Sequence, residues 1–134
     1  MKKRIVVIGA TGNTGAYLTE DLVNHLPADE YEVFAAGRRE TNFFNRYNIG
    51  YTSVDMSDAS TLEQLPQEGV HAVILLAGLL PAYMSGYNPS DYIDVNSRGA
   101  LNVLEYCRKS GADRILYAPV SYTHLRAHET LRHL

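Results

Sequence analysis

An α/β fold built on a doubly wound parallel sheet is predicted by three observations. Short β-branched and apolar runs alternate with amphipathic stretches of helical period along most of the chain. The runs are continuously apolar rather than alternating, as in strands covered on both faces. At 134 residues, the chain is one domain's worth, long enough for a real core and too short for two comfortable domains.

The elements follow in order. RIVVI (residues 4–8) reads as a first buried strand, and GATGNTG as a glycine turn. In AYLTEDLVNHL, Leu18, Leu22, Val23 and Leu26 fall at helical spacing, and Pro27 with Asp29 ends the helix. EVFAAG is a second strand and YTSVD a third. Ser57 is the expected N-cap of a short helix, DASTLEQL, that stops at Pro66. HAVILLAG, the most apolar run, is the fourth strand. The longest helix spans residues 88–111: Asn88 caps it, Pro89 suits its first turn, Asp91 complements its dipole, and Gly111 closes it after Arg108 and Lys109. DRILYA is a fifth strand. Strands and helices alternating at this pitch make βαβ units.

Composition excludes several classes of function. Apolar residues at 46 % and charged residues at 20 % describe an ordinary globular domain. A formal charge of −3, with basic residues scattered apart from Lys2-Lys3-Arg4 and the Arg38-Arg39 pair, carries no nucleic-acid footprint. Cys107 is the single cysteine, expected as a small buried hydrophobe on a helix. No Cys/His spacing outside the tail resembles a metal site. The apolar run after Lys2-Lys3-Arg4 is interrupted by Gly9, too short for a signal peptide, and no stretch has the length of a membrane span. The expected location is the cytoplasm.

Most of the chemistry lies in the glycine loop. Gly9, Gly12 and Gly15 sit between a buried strand and an amphipathic helix. A dinucleotide loop needs glycine for a tight turn, for close approach of backbone to a pyrophosphate, and for packing helix on strand. Free N–H groups and the positive end of the helix dipole then hold the anion. A tight turn without a ligand is the alternative. The spacing is G-x-x-G-x-x-G rather than G-x-G-x-x-G.

With this loop, residues 3–118 resemble the short-chain dehydrogenase/reductase family in its extended or atypical form, the NAD(P)-dependent epimerase/dehydratase type. VDMSD, LLAGLLP and DVNSRGALNVLEYCRKSGADRILYA also carry the resemblance. It implies a Rossmann-type sheet, truncated after about five strands, in an incomplete NAD(P)-binding domain over residues 1–118. Thr11, Asn13 and Thr14 would join the three glycines in the cradle. Asp55 and Met56 would border the adenine, and Ala77 and Gly78 would lie along the cofactor. Asn96 would support the active site, or else be a buried asparagine satisfied by backbone. Tyr83, Tyr87 and Tyr92 would lie near the substrate, or be surface aromatics of a loop. Gly99 costs roughly 1 kcal/mol in a helix relative to alanine, and close packing on a neighbouring element would explain it.

The end of the second strand bears on which cofactor is used. An NAD protein commonly has an acid there, roughly 20 residues past the loop. This chain reads Gly37-Arg38-Arg39-Glu40. Guanidinium groups bind a 2′-phosphate bidentately, so NADP is favoured over NAD, with Arg38 and Arg39 as its readers. In the alternative, both arginines are solvated and Glu40 takes the acid's role.

The family's chemistry needs Tyr-x-x-x-Lys and a serine or threonine just after the fifth strand. The tyrosine exchanges the substrate proton, the lysine lowers its pKa and holds the nicotinamide ribose, and the serine orients the substrate. No lysine follows Lys109, and Tyr117 and Tyr122 are followed four positions later by Ser121 and Arg126. Ser121 has only its position in its favour. No catalytic residue is expected in this chain beyond a supporting role for Asn96, and from it alone weak dinucleotide binding at best and no turnover are expected. Residues 119–134 are set apart as a tail. Their stretch VSYTHLRAHET (residues 120–130) resembles a translated sequencing-library adaptor, whose register continues to residue 134. His124 and His128, at i and i+4, would otherwise suggest a metal helix lacking a third ligand.

The expected parent is an epimerase, dehydratase or reductase acting by hydride transfer, on a nucleotide sugar or a related carbonyl or hydroxyl substrate. It would have no nucleic-acid or membrane partner and could pair as a homodimer. The alternative is a non-catalytic NAD(P)-binding sensor of the atypical type.

Overall fold

Residues 2–76 and 97–117 are described by a computed structural model. Five strands form one parallel sheet: β1 (Lys3–Ile8), β2 (Tyr31–Gly37), β3 (Gly50–Ser53), β4 (Val70–Leu75) and β5 (Arg114–Tyr117). Their spatial order is β3-β2-β1-β4-β5. β1 is central, with Ile5 opposite Val33 of β2 and Ala72 of β4. The order reverses between β1 and β4, and ligands of open α/β sheets bind at such a switch point, beyond the carboxyl ends of the strands.

The β-branched runs are buried because both faces of the sheet are covered. Ile5, Val7, Val33, Ala35 and Ile74 pack under α1 (Asn13–His25), through Leu18, Leu22, Val23 and Leu26. On the opposite face Val6, Ile8, Val73 and Leu75 meet α2 (Gly99–Ser110), through Val103, Tyr106 and Cys107. Cys107 is buried, and burial pushes its thiol pKa up, so it behaves as a small hydrophobe. Gly111 ends α2 in the left-handed conformation, φ 82°, as its place after Arg108 and Lys109 predicts. The nine N-terminal residues expected for this helix, with Asn88, Pro89 and Asp91, lie outside the described residues.

The short helix expected after Ser57 is present as a 3₁₀ helix, Ala59–Gln64, but it is not capped by Ser57. Its cap is Asp58, whose carboxylate accepts from the Ser60 amide at 3.1 Å. Ser57 instead donates its amide and its hydroxyl to Asp55. Residues 43–47, for which the sequence predicts no element, form another 3₁₀ helix, Phe43–Tyr47. Tertiary burial explains it: Phe44 is 1 % exposed beneath α1, and Asn48 turns the chain out with φ 57°. Among the described residues, no helix is long and apolar enough to cross a membrane.

Candidate cofactor-binding site

The glycine loop leaves β1 at the switch point. Gly9 adopts φ 96°, a conformation that favours glycine. The amides of Gly9 and Ala10 both donate to the Ala36 carbonyl, at 2.8 and 2.9 Å, fastening the turn to β2. Gly12 is the N-cap of α1 and makes no side-chain cap bond among the described residues, and no acidic side chain occupies the first turn. A Cβ on Gly12 would meet nothing closer than the Gly9 carbonyl oxygen at 3.8 Å. A Cβ on Gly15 would lie 2.1 Å from that same oxygen, so only glycine lets the helix approach the turn. The loop thus has a tight turn at Gly9, an open approach at Gly12 and a close helix contact at Gly15. A helix start without a side-chain cap, open at Gly12 among the described residues, fits an anionic pyrophosphate. Thr11 is half-buried and Thr14 exposed, while Asn13 opens the helix.

Beside this loop, the end of β2 carries Arg38 and Arg39, both exposed. The Arg39 guanidinium donates to the Thr11 carbonyl at 3.2 Å, tying the arginine turn to the glycine loop. A cavity of about 280 Å³ lies between them, lined by Ala10, Thr11, Arg39, Glu40, Thr41 and Phe43 among others. Gly37 is required at the strand end, because a Cβ would come within 2.7 Å of the Thr11 Cγ2 atom and 3.0 Å of the Tyr51 hydroxyl. Neither Gly37 nor Tyr51 is singled out by the sequence for this purpose. The period-two alternation of YTSVD, which puts Tyr51, Ser53 and Asp55 on one face, is the available signal.

Asp55 and Met56 follow β3. The Ser57 hydroxyl and amide donate to the Asp55 carboxylate at 2.7 and 3.1 Å. The hydroxyl chiefly holds its pKa below the ordinary value; partial burial opposes this, and the Ser57 amide and the Arg38 charge add to it. The Met56 side chain is buried against α2 rather than turned outward, and its carbonyl accepts from the Asn102 amide at 2.9 Å. A Cβ on Gly99 would lie 2.6 Å from the Met56 Cε atom. That contact is the close packing expected of Gly99. Asn102, three residues on along the same face, could have been found as a polar residue on a buried stripe.

Ala77, Gly78, Asn96 and the three tyrosines Tyr83, Tyr87 and Tyr92 lie outside the described residues, as do Ser121, Tyr122 and the histidine-bearing tail. The Gly9–Gly15 loop, Arg39 and Gly37 are brought together around one opening, with Arg38 on the same turn and Asp55 within reach of its charge.

The sequence matches the NAD dependent epimerase/dehydratase family over residues 5–122. It is similar to a UDP-glucose 4-epimerase of Azospirillum brasilense, 26 % identical over 117 residues, covering 86 % of this chain and 33 % of that protein. A GDP-mannose 4,6-dehydratase of Vibrio cholerae is 27 % identical over 128 residues, covering 85 % and 33 %. Among solved structures, the holo form of an L-threonine dehydrogenase from Cupriavidus necator superposes with a TM-score of 0.69 at 25 % identity, covering 84 % of this chain and 35 % of that one. The chain spans between 33 % and 40 % of the length of the curated relatives it matches.

Proposed function

Since the chain belongs to the NAD-dependent epimerase/dehydratase family, we propose that it is the cofactor-binding part of an NADP-dependent epimerase, dehydratase or reductase. The observation that carries the cofactor reading is the loop itself. Gly9 turns at positive φ, Gly12 starts α1 without a side-chain cap, and Gly15 packs on the Gly9 carbonyl, all at the β1/β4 switch point. The amides at the start of α1 would hold the pyrophosphate, and the Asp55–Met56 turn would border the adenine. Ala77 and Gly78 are assigned beside the cofactor by resemblance. When bound, the nicotinamide supplies a hydride acceptor and donor for a carbinol or carbonyl carbon.

The preference for NADP rests on Arg39, which lines the cavity beside the loop. Its guanidinium has five donors, of which Thr11 takes one. The remainder match a 2′-phosphate better than a bare ribose. Glu40 lines the same cavity and supports the NAD alternative. Calorimetric titration of the 134-residue chain with NADP and NAD tests both. NADP is expected to bind more tightly; equal or reversed affinities sink the preference, and no binding of either sinks the cofactor reading.

A nucleotide sugar is the proposed substrate of the parent, a choice supported by the names of the two curated relatives. Pairing of two parent chains through α2 belongs to the same proposal, supported by the exposure of Leu101 and Leu104 on that helix. No tyrosine in this chain stands four residues before a lysine, so the chain mixed with oxidised cofactor and a UDP-hexose is expected to show no change at the nicotinamide absorbance. A second reading is a non-catalytic dinucleotide sensor, which would keep the same glycine loop. Sequencing the source DNA across the codons from Tyr117 onward separates them. A frame that continues to Tyr-x-x-x-Lys supports the enzyme, and one that continues without it supports the sensor. The tail is proposed as adaptor sequence, and genomic DNA encoding VSYTHLRAHETLRHL followed by a stop would overturn that.

A further inference from the structure

β2 leaves the sheet at Gly37, whose carbonyl accepts the last ladder bond from the Val54 amide at 2.8 Å. The next two carbonyls are held by side chains of β3. The Ser53 hydroxyl donates to the Arg38 carbonyl at 3.0 Å, and the Tyr51 hydroxyl donates to the Arg39 carbonyl. Tyr51 and Ser53 are two residues apart on one strand, so both hydroxyls come from the same face. Tyr51 has little freedom to move. Its ring stacks on Phe44 with centroids 5.2 Å apart and planes 10° from parallel, and Phe44 is fully buried. Its hydroxyl reaches Arg39 across the space that the missing Cβ of Gly37 leaves open. Burial foremost, and the charge of Glu40 after it, raise the Tyr51 pKa, with Arg39 opposing, so the phenol remains a donor at neutral pH.

Arg39 is therefore fixed at both ends: its main chain by β3 and its guanidinium by the Thr11 carbonyl of the glycine loop. We infer that Tyr51 is a positioning residue for cofactor selectivity, holding the Arg39 peptide so that its guanidinium faces the cavity where a 2′-phosphate would lie. The inference rests on the NADP reading above. A side chain oriented before the ligand arrives loses less freedom on binding, which favours the ligand that uses it and leaves the other unaffected. Tyr51 does not line that cavity, so it acts through Arg39 alone.

Tyr51→Phe keeps the ring and its stack on Phe44 and removes only the hydroxyl. NADP and NAD affinities are measured by calorimetry for the wild-type chain, Tyr51→Phe, Arg39→Gln and the double variant, with thermal unfolding confirming that each is folded. The expected result is a NADP/NAD affinity ratio lowered about three- to tenfold in Tyr51→Phe, the range for one lost hydrogen bond, with NAD binding unchanged. On the Arg39→Gln background the same substitution is expected to change nothing further. A ratio that survives Tyr51→Phe, equal weakening of both ligands, or full additivity in the double variant would each overturn the role of Tyr51. A wild-type chain that does not prefer NADP overturns the NADP reading and the inference with it, a failure visible before any variant is compared.

Discussion

Asp55 and Asp58 are chemically identical and sit in the same pattern, Asp-x-Ser, twice in succession. Each carboxylate accepts the amide and hydroxyl of the serine two residues on. Only Asp58 precedes a helix, where the amide and the hydroxyl of Thr61 both reach the Asp58 carbonyl, at 3.1 and 2.8 Å, and close the turn. A reading of residue types alone could not choose between the two, and it placed the cap on Ser57 instead. The Asp55 carboxyl titrates below its ordinary value of 3.8, mainly because the Ser57 hydroxyl favours the charged form. A group depressed on folding stabilises the protein fully above its unfolded pKa, and the contribution disappears as pH falls through the lower, folded value. Asp55→Asn removes this contribution. Chemical unfolding of both proteins is expected to show their largest difference at neutral pH, with the curves converging in acid below the folded pKa of Asp55. A difference that does not change with pH would show that the charge is irrelevant and only the shape of the side chain matters.

Between elements, the contact of α2 with the Met56 turn illustrates how a locally unfavourable residue is selected by packing. Glycine in the first turn of α2 sacrifices helix propensity, yet Gly99 is where the Met56 side chain rests, and Asn102 one turn on bonds the Met56 carbonyl. Gly99→Ala would gain up to about 1 kcal/mol of helix propensity and pay about 1–3 kcal/mol for the clash. Methionine is adaptable, so the clash is expected in the lower half of that range, leaving up to about 1 kcal/mol of net destabilisation in urea unfolding. In a Met56→Ala background the sign should reverse, because the obstacle is gone and only the propensity remains. That the glycine needed such a neighbour was legible from its cost, but not which neighbour. The two 3₁₀ helices were the least legible elements. Six residues between Asp58 and Leu65 can turn either way, and residues 43–47 depend on Phe44 finding a pocket built by distant chain.

For the molecule as a whole, the five strands and the two faces were readable because apolar runs and amphipathic stretches are long-range consequences written as local patterns. All five strands start within one residue of where their patterns place them. Stability should not be uniform across them. β1 is paired on both sides and its Val6 and Val7 are fully buried, whereas Leu116 and Tyr117 of β5 are 62 % and 48 % exposed. Native-state hydrogen exchange is expected to find the slowest amides in β1 and the fastest strand amides in β5; β5 protection equal to that of β1 would contradict this. The centrality of β1 also has a consequence for the chain as it is made. Ile8 is opposite both Ala36 and Leu75, so β1 gains its second partner only after β2 and β3 have been made. Until β4 emerges, the most apolar edge of a two- or three-stranded ribbon faces outward, open to any other extended chain. Lys2, Lys3 and Arg4, clustered at its leading end, put there the kind of like charge that discourages edge-to-edge pairing of two copies.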